Sequence, residues 1–234
     1  MIETLTSLAL AIVPAVLAIT LHEAAHGYMA LALGDTTARD AGRLSLNPLR
    51  HVDKFGTILL PGFLLITQLA LPPHRVTFMF GWAKPVPIGA WRFRDPRRGM
   101  ALVALAGPAM NFFLAWMAAL VFPVSTAPLS ESGTLAARFL FYFMLSNIVL
   151  GLFNMLPVPP LDGGRVAVGL LPLNLARLWA GLERYGILIV LGLVFLLPRI
   201  TGFDPVGEAL ETVLPWAFRM IFLLAGHDLD AASL

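Results

Sequence analysis

The chain has 234 residues, 58% of them hydrophobic and 13% charged, with a mean hydropathy of +0.81; globular domains carry roughly 25% charged residues, so a water-soluble core is excluded. Cysteine is absent, which excludes disulfides and thiolate chemistry and leaves His, Asp and Glu to hold any transition metal. The net charge of +2 is small, and the basic residues flank apolar runs as membrane-surface residues do, without forming a nucleic-acid patch.

Residues 4 to 33 predict one helix of about 45 Å, longer than the hydrocarbon core of a bilayer, with Pro14 as a possible kink. The N-terminus lacks a basic region and is not expected to be a cleavable signal. Inside this helix lies Leu21-His22-Glu23-Ala24-Ala25-His26-Gly27, an H-E-x-x-H sequence. Positions four apart share a helix face, so His22 and His26 can offer two imidazole nitrogens to one ion with Glu23 beside it. Such a match arises by chance in ordinary helices, but ionisable groups at membrane depth are costly and point to a site.

Gly34-Asp35 ends the helix, and a polar loop runs through Lys54. Asp35, Asp40 and Asp53 are expected to be solvated there. Residues 56 to 72 are apolar but interrupted by Pro61-Gly62, and the basic loops on both sides favour a segment that dips in and returns over one that crosses. Between residues 75 and 93 the prolines at 85 and 87 exclude a helix, so a short extended or β segment is expected near 75–93. Residues 99 to 122 and 134 to 156 predict two spans joined by a loop without Lys or Arg, which marks the outer side. Asn111 and Asn147 in these spans predict interhelical hydrogen bonds. Pro157 to Pro160 break the second span, and the Gly163-Gly164 pair predicts a tight turn that aims Asp162. Residues 185 to 198 form another apolar helix, and 205 to 224 can span or lie at the interface. The expected fold is an all-α multi-pass membrane protein of about five to six transmembrane helices. It makes one domain over 1–234, with a catalytic core at about 4–171 and C-terminal helices at about 173–224.

Zinc hydrolases usually take three protein ligands plus water, and no third histidine lies on the first helix. Asp162 is the only acid between Glu131 and Glu183, and span counting puts it on the same inner side as His22 and His26. It could instead cap the helix beginning at Gly163. Arg165 could pair with Asp162 or anchor at headgroups, the second being preferred. His51, His74 and His227 are expected at the surface.

His22-Glu23-Ala24-Ala25-His26, followed by Asn154-Met155-Leu156-Pro157 and, four residues on, Asp162-Gly163, resembles the two signatures of the site-2 protease family of intramembrane zinc metalloproteases, H-E-x-x-H and N-x-x-P-x-x-x-x-D-G. Gly107-Pro108-Ala109-Met110-Asn111 and Gly81-Trp82-Ala83-Lys84-Pro85 also resemble segments of its compact bacterial members, which lack a PDZ domain. The resemblance covers most of residues 15 to 170. It implies His22, His26 and Asp162 as ligands of one Zn²⁺ per chain, Glu23 as general base, and Asn154 near the scissile peptide as an oxyanion donor, with an interhelical bond as Asn154's alternative. The implied substrates are transmembrane proteins cleaved within or near the bilayer, with no nucleic-acid partner. The implied location is the cell membrane, a bacterial inner membrane, with the site towards the cytoplasm. A membrane metal-binding protein or transporter using the same ligands is the alternative.

Overall fold

A computed structural model describes residues 2–70, 81–123 and 134–227. Among the described residues the regular structure is helical throughout. Helix α1 (Ile2–Ala32) ends at Gly34, whose φ of 96° suits a residue without a side chain, and the short α2 (Thr37–Asp40) follows. A wide turn at Lys54–Leu59 leads into α3 (Leu60–Ala70). Helices α4 (Pro96–Leu120) and α5 (Leu135–Asn154) come next, then α6 (Asp162–Leu170). Helices α7 (Leu173–Gly181), α8 (Gly186–Leu191) and α9 (Leu197–Thr201) form a nearly continuous apolar rod, and α10 (Pro205–Leu224) ends the described chain.

The helix starts follow from local chemistry. Asp95 caps α4 by accepting from the amides of Arg97 and Arg98, each at 3.1 Å, with Pro96 at the first position. Thr134 caps α5 through Ala137, and Asp204 caps α10 through Gly207 with Pro205 next to it. Among the described residues three stretches are long and apolar enough to cross a membrane: Pro96–Leu120, Leu135–Asn154 and Leu173–Thr201. Their outward faces carry large apolar side chains such as Phe113, Leu135 and Leu188, as hydrocarbon contact requires.

Helix α4 is the hub, packing against α1, α5, α6 and α10. Gly99, Val103, Gly107, Asn111, Ala115 and Ala119 recur every fourth residue and are all buried. Helices in lipid gain little from the hydrophobic effect, and such a stripe of mostly small residues lets backbones approach closely. Ala115, Ala118 and Ala119 receive Met144 and Ile148 of α5 and Phe218 and Phe222 of α10 in one core cluster.

Residues 81–92 form a strap, not a β segment. No strand occurs among the described residues, and residues 71–80 lie outside them. The amide of Trp82 donates to Gly56 O at 3.1 Å and that of Lys84 to His51 O at 2.8 Å. These are isolated bonds to a turn and a loop, and Pro85 and Pro87 cannot donate to a ladder. Arg43 reinforces the arrangement, donating to Lys84 O at 2.7 Å.

Two expectations for the polar loop are corrected. Asp35 is fully buried and accepts from the Thr37 amide, the Thr37 hydroxyl and, at 2.6 Å, the Gly89 amide. Burial alone would raise its pKa, but these hydrogen bonds and the Arg92 charge hold it below the usual carboxylate range. His51 is buried as well, with Nε2 at 2.7 Å from Ser45 O. Both residues hold loop backbone in place, where solvent had been expected to take their polar atoms.

Candidate metal centre

The last turns of α1 present His22 and His26 inward, both buried, with Glu23 half-buried beside them. Asp162 arrives from the opposite direction as the first residue of α6. It does not cap that helix: Leu161 occupies the cap position and makes no side-chain bond. The Gly163-Gly164 pair has a role other than the tight turn expected, since neither residue has a positive φ. A Cβ on Gly163 would overlap the carbonyls of Met155 and Leu156, and one on Gly164 would lie 2.7 Å from Pro159 N. The glycines therefore let the first turn of α6 fold back against the proline turn, which delivers Asp162 to α1.

Within the cage, His22 Nε2 lies 3.1 Å and His26 Nε2 lies 3.3 Å from Asp162 Oδ2, and the two imidazole nitrogens are 3.0 Å apart. Hydrogen bonds on the far side fix both rings. His26 Nδ1 is 2.7 Å from the carbonyl of Val103, which can only accept, so Nδ1 carries the proton. For His22 the same logic runs through two asparagines. Asn147 Nδ2 donates to Phe143 O at 2.8 Å, which turns Asn147 Oδ1 towards Asn111 Nδ2 at 2.9 Å. That leaves Asn111 Oδ1 to accept from His22 Nδ1 at 2.6 Å. In the neutral tautomers both Nε2 atoms are bare lone pairs.

With both rings in these tautomers, two imidazole lone pairs and a carboxylate oxygen converge in a buried pocket. Asp162 Oδ2 has no hydrogen-bond donor although it is buried. With both imidazoles neutral such a cluster attracts a cation, and two nitrogens with one oxygen suit zinc. The three ligand atoms lie within 4.8 Å of one another. The residues present fit a zinc ion.

The cage opens into a cavity of about 630 Å³. Glu23, Asn154 and Arg165 line it, with Trp82 and Val86 of the strap and apolar side chains from α5, α8 and α10. Glu23 Oε2 accepts from the Val86 amide at 3.2 Å. Asn154 Nδ2 donates to Leu150 O one turn back at 3.1 Å, so its amide stays on α5 with a second N–H to spare. Arg165 does not pair with Asp162: it donates to Glu183 Oε1 at 2.6 Å.

Asn111 and Asn147 pair between helices as expected, but their contact with His22 was not foreseen. The signal available was two asparagines at mid-depth in consecutive spans. Replacing Asn111 with leucine leaves His22 Nδ1 without an acceptor. Zinc affinity is expected to fall about 10- to 100-fold, with the helical content kept, as measured by competition against a chromogenic chelator.

A helical membrane chain in which an H-E-x-x-H pair and a distant aspartate share one buried cage has the construction of a membrane metal-dependent hydrolase. Residues 123–197 match the family model described as Peptidase family M50. The chain is 35% identical over 184 residues to the Bacillus subtilis protein named "Putative zinc metalloprotease YwhC", covering 77% of each chain. It is 27% identical over 214 residues to "Putative zinc metalloprotease Rip2" of Mycobacterium tuberculosis, covering 91% of this chain and 71% of that one. The Mycolicibacterium smegmatis protein of the same name is 28% identical over 180 residues, 76% of this chain and 63% of its own. No solved structure matches the chain. The chain belongs to peptidase family M50, the site-2 protease family of zinc metalloproteases.

Proposed function

We propose that this protein is an intramembrane zinc endopeptidase that cleaves transmembrane protein substrates within or near the bilayer, with His22, His26 and Asp162 holding one zinc ion and Glu23 as general base. The observation that carries this reading is the convergence of three bare ligand atoms beside a carboxylate that can move protons. When bound, zinc supplies Lewis acidity to water and to a carbonyl oxygen. The remaining steps fall to the chain's own groups. Glu23 accepts the proton of the attacking water and returns it to the departing amide nitrogen. Asn154 turns its second N–H towards the substrate carbonyl, where negative charge develops. The apolar cavity wall receives the substrate's side chains and limits the water around the reaction.

A helical substrate hides its carbonyls in its own hydrogen bonds, so a stretch must unwind before cleavage. Residues that weaken helices are therefore favoured near the cut. The basic loops flanking residues 56–72 support a cytoplasm-facing site; the reading includes a cell membrane crossed five to six times by a chain acting as one domain. The transporter alternative is not favoured, because family M50 is a peptidase family and an ion carrier has no use for a base at Glu23.

The test is a reporter with a Gly/Asn-weakened transmembrane segment, placed in lipid vesicles with the purified protein. Cleavage is expected to stop on chelation and return with zinc. Cleavage that continues at full rate in chelator overturns the assignment.

A further inference from the structure

We infer that Asp35 is a positioning residue of the active site: it anchors the strap, which in turn holds Glu23. This rests on the general-base role of Glu23 given above. Asp35 lies outside the cage, beyond the end of α1, yet its carboxylate is completely buried. Oδ1 accepts from the amide and hydroxyl of Thr37, with Arg92 Nε at 3.7 Å. Oδ2 is used differently, accepting from Gly89 N at 2.6 Å across a sequence separation of 54 residues. The fit is close: a Cβ on Gly89 would lie 2.9 Å from Thr37 Oγ1 and 3.3 Å from Asp35 Oδ1. The other end of the strap is tied by Trp82, Lys84 and Arg43 to the loop and turn at residues 43–57.

Between these two ties lies Val86, buried, with its amide on Glu23 Oε2. That bond occupies one oxygen of the base and leaves Oε1 for a proton. A carboxylate on a long side chain needs such a restraint, because a misplacement of about 1 Å can cost about 100-fold in rate. No other element ties residues 86–89 to the end of α1 by a charged acceptor among the described residues. Ile88 packs against the cluster of Ala30, Phe93 and Val103, and Asp35 adds the charged acceptor that fixes the backbone beside Val86.

Asp35→Asn tests this with little change of volume. An amide has one acceptor oxygen, so either the Gly89 N–H or the Thr37 donors must face an NH₂ group. The full-length protein in lipid vesicles is expected to keep one zinc per chain while kcat falls about 10- to 100-fold. Val86→Pro deletes the N–H on Glu23 from the strap side and is expected to lower kcat by a similar factor. The double variant should fall no further than the worse single one, since both remove the same restraint. Asp40→Asn, which changes an exposed carboxylate bonded to Thr36 and Arg39 and not to the strap, is expected to change kcat less than about threefold.

A second readout does not depend on proteolysis. The chain has no cysteine, so Ile88→Cys gives a single, half-buried thiol on the strap beside Gly89. Its labelling by a maleimide should speed up about tenfold or more in the Asp35→Asn background, one charge-assisted bond having been lost. Should the wild-type protein cleave nothing, the proposed activity fails while the labelling rates still decide the anchoring. Unchanged labelling, a loss of zinc, or fully additive effects in the double variant would each overturn the inference.

Discussion

Replacing Glu23 with glutamine is expected to abolish cleavage of a membrane reporter, by at least about a thousandfold, while zinc stays at one per chain. Glutamine keeps the shape of glutamate and can still accept the Val86 amide, the bond seen at 3.2 Å. What it cannot do is take a proton from water at neutral pH. The side chain is not among the three converging ligand atoms, so the cage should be unaffected. Metal analysis and reporter cleavage on the same preparation give the answer. Persistent cleavage at a comparable rate would rule out Glu23 as the base, and joint loss of zinc and activity would make it a ligand instead. The same variant offers a route to substrates, because membrane peptides that accumulate in cells carrying it are candidates for the natural cut.

The second large effect is expected at a residue with no functional group. A Cβ on Gly107 would lie 2.5 Å from both Cε1 and Nε2 of His26 and 2.6 Å from Cε1 of His22. These rings cannot retreat without giving up Val103 O and Asn111, whose bonds hold their far edges. Gly107→Ala is therefore expected to lose zinc by more than about 100-fold in affinity and to lower thermal stability by a few kcal/mol, the cost of overpacking plus broken hydrogen bonds. Gly181→Ala is the comparison. That glycine ends α7 with nothing within 4 Å of its added Cβ, and its replacement should leave zinc binding unchanged. Equal zinc affinity in both variants would show that α1 and α4 can separate at small cost.

What could be read from the chain alone was what local spacing and composition determine. His22 and His26 share a helix face by their interval of four, and the apolar stretches announce the spans. The link to Asp162 was legible because prolines and glycines isolate that acid between apolar segments. Asp35 was misjudged for a tertiary reason: a carboxylate in a polar loop looks solvated until a distant amide, that of Gly89, covers it. The partner of Arg165, Glu183, was out of reach of local reading because it lies across a helix boundary. The prolines at 85 and 87 pointed to a short extended or β segment near 75–93, but residues 81–89 form no ladder and spend their amides singly on His51, Gly56, Asp35 and Glu23. Gly107 was invisible as a site residue because its contribution is the absence of atoms.

The hub position of α4 carries one more implication. His22 and His26 come from the N-terminal helix and Asp162 from the start of α6, well past the middle of the chain, and both helices pack on α4. An ion gripped by all three fastens the outer members of that sandwich to each other, acting as a rivet as well as a reagent. Occupancy then raises resistance to unfolding in proportion to RT ln(1 + [Zn]/Kd). A cell short of the metal would hold fewer of these molecules as well as less active ones, so supply of the ion would govern abundance and turnover together.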